Sequence, residues 1–86
     1  MFKIWAKTIK DHKITASYLY HSADKFDSEE FLAYVAEICN DMDIPTPVIL
    51  KSHVKNYLYY NVARFRPSDF VESVPFDTFL LENASE

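Results

Sequence analysis

The 86 residues carry 49 % apolar and 16 % aromatic side chains at a formal net charge of −4. That balance is too hydrophobic for a disordered chain and suits one folded domain, residues 1–86, with a stability of roughly 4–13 kcal/mol. No apolar run approaches the ~20 residues that span a bilayer, and glycine, which phosphate loops and dinucleotide-binding turns require, is absent.

In chain order, "FKIWAKTI" puts Phe2, Ile4, Ala6 and Thr8 on one side of a strand and Lys3, Trp5, Lys7 and Ile9 on the other. "KDHK" is a tight polar connection, and "ITASYLYH", rich in β-branched and aromatic residues, is the hairpin partner. Without glycine, positive φ falls to Asp11, His12, Asn40 and Asn61. The spacing in "FDSEEF" predicts a helix with Asp27 as N-cap, Glu30 closing a capping box, and Phe26 and Phe31 as a hydrophobic staple. Phe31, Leu32, Val35, Ile38, Cys39 and Met42 recur on one face of it, with Glu29, Glu37 and Asp41 on the wet side. The helix ends between Asn40 and Asp43, because Pro45 turns Ile44 away from helical angles.

"KSHVKNYLYYNVARF" is consistent with helix or strand. The reading adopted is a short helix to about Tyr60, with Ser52 available as its cap, then a strand through Arg66. Pro67 opens a turn, and "FDTFLLE" forms a last strand beside the first. The resulting class is α+β: an N-terminal hairpin, an amphipathic helix on an antiparallel sheet, an irregular middle and a C-terminal strand.

Charge is segregated along the chain. Residues 1–25 hold five lysines and two acids, 26–50 six acids, 51–66 Lys51, Lys55, Arg64 and Arg66 without an acid, and 67–86 five acids. Opposite blocks are expected to pair, with Asp69 and Glu72 partnering the two arginines. Cations interleaved with Tyr57, Tyr59, Tyr60 and Phe65 also suit single-stranded nucleic acid, whose bases stack on aromatic rings. A pI near 5.2 argues against that partner.

No Cys-x-x-Cys or His-x-x-x-His spacing is present among Cys39, His12, His21 and His53, so the sequence calls for neither metal nor cofactor. Cys39 falls on the apolar helix face, where a thiol is a small hydrophobe. An enzymatic or ligand pocket would draw on His53, Arg64, Arg66 and Asp69. A domain this small cannot cover six Tyr, seven Phe and Trp5 completely, so an exposed aromatic patch is expected, with "YLYY" the best location.

The segments "KIWAKTIKDHKI", "EICNDMDIPTPVIL" and "RFRPSDFVESVPFDTFLLE" resemble a family of small proteins of clostridia-like Gram-positive bacteria, over nearly the whole chain and without a catalytic signature. The resemblance implies a stand-alone cytoplasmic protein and carries no functional residue with it. "MFKIWAKTIKDHK" mixes lysine with apolar residues where a signal peptide separates them, which also points to the cytoplasm. The expectation is a protein-interaction or self-associating module without catalytic activity, a homodimer or the partner of another protein. Tyr57, Tyr59, Tyr60, Arg64 and Arg66 are its interaction or anion site.

Overall fold

The computed structural model describes residues 1–85. Strands β1 (Phe2–Lys10) and β2 (Lys13–Ser22) form the hairpin, and its two-residue turn places Asp11 and His12 at φ 52° and 66°. Two successive positive φ values match the right-handed twist of the strands, which is why so short a turn closes them. The Asp77 carboxylate accepts from the Asp11 amide at 2.9 Å and holds the turn against the start of the last strand. Thr8 faces Ala16 but Ile9 faces Ile14, so Thr15 is bulged, and its hydroxyl donates to the Thr8 carbonyl at 3.2 Å.

Strands β3 (Val62–Phe65) and β4 (Thr78–Asn83) complete an antiparallel sheet in the order β2-β1-β4-β3. Helices α1 (Phe31–Met42) and α2 (Lys51–Tyr60) cover one face of it. Phe2, Ile4, Ala6, Ala63, Phe65, Phe79 and Leu81 from the sheet share one core with Phe31, Val35, Ile38, Cys39 and Tyr57 from the helices. The period-2 reading of β1 is therefore correct, and the last strand does pair with the first.

The α1 entry differs from expectation in its bonds. A 3₁₀ turn, Ser28–Glu30, precedes the helix: the Asp27 carboxylate accepts from the Glu29 amide, and the Glu30 amide donates to the Asp27 carbonyl. Tyr34, one turn further on, takes the role assigned to Glu30, its hydroxyl accepting from the Asp27 amide at 3.1 Å. Phe26 and Phe31 both pack on Tyr57, so a residue of the second helix bridges the two staple positions. Leu32, one position round the helix from Phe31, is 59 % exposed. Asp43, not Asn40, is the left-handed cap, at φ 58°, and the Asp43 and Ile44 amides bond back to Asn40 and Cys39.

The start of α2 also departs from the sequence reading. His53, not Ser52, makes the side-chain cap: its Nδ1 accepts from the Leu50 amide at 2.9 Å, the position a glutamate or glutamine side chain fills in a capping box. Asn61 ends the helix at φ 62° and lets the chain turn directly into β3.

Phe79 is fully buried and touches Phe65, Phe70 and Phe76. Phe79→Ala is expected to cost roughly 3–5 kcal/mol, a large part of the whole stability. Urea unfolding should show a lower midpoint at an unchanged slope.

Candidate functional site

Helix α2 turns His53 and Tyr57 into the core and leaves Lys51, Ser52, Lys55, Asn56, Tyr59 and Tyr60 exposed. A one-turn spacing puts Lys51, Lys55 and Tyr59 in a single row. Tyr59 is 70 % and Tyr60 72 % exposed. Tyr57 does not join them: it is 4 % exposed and packs on Phe26 and Phe31, because its spacing from His53 places both on the sheet side of the helix. The five residues expected to act together are thus four on the surface and one beneath it.

Strand β3 places Arg64 on the face without helices, between Ala63 and Phe65, which enter the core. Arg66 is exposed just beyond the strand. The expected pairing with Asp69 and Glu72 does not occur. The Asp69 carboxylate instead accepts from the Arg66 backbone amide at 2.8 Å, closing the short turn that Pro67 opens. The ion pairs among the described residues are Lys7–Glu82 at 2.7 Å and the His53–Asp69 contact at 3.7 Å. Lys7–Glu82 thus joins the blocks 1–25 and 67–86, whereas no ion pair among the described residues links the acids of 26–50 to the cations of 51–66, since α1 sits over β2 at one edge of the sheet and α2 over β3 and β4 at the other.

A cleft of about 360 Å³ is lined by Asn56, Tyr60, Val62 and Arg64. Helix residues form one wall and strand residues the other, and β3 is an outer strand, so the cleft lies along its edge. Among the described residues, β3 makes backbone hydrogen bonds to β4 alone. The opposite outer strand, β2, is longer but interrupted by the Thr15 bulge and ended by Lys13, features that discourage pairing.

The His53 ring packs on Phe65 at 4.3 Å between centroids, with Nδ1 occupied by Leu50 and Nε2 facing Asp69. The structure thus joins His53 to Asp69 but leaves Arg64 and Arg66 pointing elsewhere, so the four do not converge on one pocket. Cys39 is fully buried, as expected, and desolvation raises its thiol to about 12 against a weaker opposing bond from Thr46. Glu37 and Asp41 are more than a wet face: they accept from the Tyr20 and Tyr18 hydroxyls at 2.9 and 2.8 Å, tying α1 to β2.

The uncovered sheet face gave the least signal in the sequence. Lys7 is only 8 % exposed there, with its ammonium 3.9 Å above the Trp5 ring and bonded to Glu82. Both partners follow from strand register, since Lys7 on β1 reaches Glu82 on β4 across a pairing that joins the two ends of the chain.

Comparison with protein families, with curated proteins and with solved structures finds no match for this chain.

Burial lifts the Tyr20 and Tyr57 phenols from 10.0 to about 12, and the Cys39 thiol from 9.0 to about 12. Above the ordinary values the unfolded chain releases these protons while the folded chain keeps them, so stability falls as pH rises. Urea midpoints should decline as the pH rises from about 9 to 12. Tyr57→Phe should make the decline above pH 10 shallower. At pH ~8 the native thiol should react with a disulfide reagent only at the rate of unfolding.

Proposed function

We propose that the protein is a small interaction module that captures an acidic, extended segment of another protein along the free edge of β3. The observation carrying this reading is the Asn56, Tyr60, Val62 and Arg64 cleft lying along an unpaired strand edge. An added strand gains main-chain hydrogen bonds from the edge, while alternate side chains find the tyrosine and arginine. Arg64 in the cleft wall and the exposed Arg66 beyond the end of β3 have no carboxylate partner among the described residues and leave this edge positively charged. The acid-free run from residue 51 to 66 gives a reason for an acidic partner.

A second copy docked edge to edge by the same strand would bring two Arg64-bearing edges together, which disfavours the symmetric dimer. Nucleic acid has the cations and tyrosines in its favour and the net charge of −4 against it. The bacterial cytoplasm implied by the family resemblance belongs to the same proposal.

The test is fluorescence polarisation with a labelled peptide alternating Glu and Val, with its Lys and Val counterpart, and with single-stranded oligo-dT. Saturable binding of the acidic peptide alone is expected, weakened about tenfold or more by Arg64→Ala and by Tyr60→Ala. A proline in the middle of the peptide should abolish it, since strand addition needs the amide. Oligo-dT binding that depends on Arg64 and falls steeply with salt would replace this reading with the nucleic-acid one. A dimer by light scattering that Tyr59→Glu dissociates would replace it with self-association.

A further inference from the structure

Tyr57 is 4 % exposed, yet its hydroxyl has no hydrogen-bond partner among the described residues. A phenol in that position normally finds a partner. No fully enclosed side-chain oxygen is left unsatisfied, so the Tyr57 oxygen opens to a space, and Tyr57 lines a cleft of about 320 Å³ between α2 and the start of β1. The other walls are Phe2, Phe26 and Leu58, with Lys25 at the rim. Phe26 stands edge-on to Phe2 at 5.3 Å and stacks on Tyr57 at 5.6 Å, which makes that wall flat and aromatic.

The polar groups of the cleft differ in what they have left to offer. The Asn61 and Asn83 side chains already bond to each other at 3.1 Å. The Lys25 ammonium has no carboxylate partner among the described residues, and the Tyr57 hydroxyl is an unused donor. Burial holds that phenol protonated, with its pKa raised to about 12. An apolar pocket with a few unoccupied polar groups is the usual form of a small-ligand site, and this one is near the lower end of the size range of about 300–1,000 Å³.

We infer that this cleft binds a small amphipathic carboxylate, its apolar body against Phe2, Phe26 and Leu58. Its carboxylate accepts from the Tyr57 hydroxyl and is neutralised by Lys25. Binding is noncovalent and independent of capture at the β3 edge. A neutral alcohol of the same shape keeps the apolar contacts but loses the charge-assisted bonds, so the site discriminates by charge. The corresponding ammonium meets Lys25 with like charge and is rejected.

The experiment is a titration of the ¹⁵N-labelled protein with sodium 3-phenylpropionate, 3-phenylpropan-1-ol and 3-phenylpropylammonium, read by amide chemical shifts. The acid should give saturable shifts at Lys25, Phe26, Tyr57 and Leu58 and bind about five- to tenfold more tightly than the alcohol, with no ammonium binding. Tyr57→Phe and Lys25→Gln should each weaken the acid about fivefold and leave the alcohol unchanged. Tyr57→Phe should also leave the urea midpoint at neutral pH unchanged, because the hydroxyl it removes has no hydrogen-bond partner among the described residues. Equal affinity for acid and alcohol would overturn the inference, as would shifts centred on Trp5 or Arg64. So would a lack of saturation at about 20 mM, weaker than the millimolar binding expected of a small probe.

Discussion

The Phe26 ring joins the two helices to the sheet. It meets Phe2 of β1 at 5.3 Å, Tyr34 of α1 at 5.6 Å and Tyr57 of α2 at 5.6 Å. Each aromatic pair contributes about 0.5–1.5 kcal/mol beyond the area it buries, and here one side chain makes three of them. The Asp27 cap and the Tyr34 hydroxyl that accepts from it fix the chain next to Phe26, so local hydrogen bonds aim the ring that packing then uses. The same ring is a wall of the cleft beneath Tyr57, which makes the ligand site a by-product of the helix anchoring.

A sheet covered on one side divides the surface into regions with different chemistry. Helix α1 presents acids and is held to β2 by tyrosine–carboxylate bonds; α2 and β3 present cations that make no ion pair among the described residues. Pairing across the molecule would have required the acidic and basic segments to be neighbours, and the order β2-β1-β4-β3 sets their strands at opposite edges. On the uncovered face, the Lys7 ammonium lies over the Trp5 ring and pairs with Glu82, yet Trp5 remains 41 % exposed.

Turns without glycine shape the molecule in detail. Asp11, His12, Asp43 and Asn61 hold positive φ, at 52°, 66°, 58° and 62°. Asp and Asn tolerate this region better than most residues because their short polar side chains bond locally. At Asn61 the consequence extends to the cleft along β3. A single left-handed residue joins α2 to β3, and so brings Asn56 and Tyr60 beside Val62 and Arg64.

The α+β class, the hairpin with its Asp11-His12 turn, the face of β1 and the burial of Cys39 were legible in the sequence, since each depends on alternation, helical spacing or turn chemistry within a few residues. Tyr57, Tyr59, Tyr60, Arg64 and Arg66 stood out as candidates because they lie close together in an acid-free segment, but which of them are exposed was decided by the fold. That Arg64 and Arg66 lack a carboxylate partner among the described residues was not legible, nor were the roles of Lys7 and Glu82, of His53 as a cap, or of Tyr57 as a buried phenol lining a cleft with Lys25. Nearness in sequence suggested Asp69 and Glu72 for the arginines, yet Asp69 is held by backbone geometry at the Pro67 turn. Sequence by itself determined the period of β1 and α1 and so most of their buried positions, because backbone period and local capping are short-range, although Leu32 and Tyr57 faced otherwise than expected. Tertiary structure alone decided which groups from separate elements meet and which stay unpaired, because strand order and helix placement set those distances.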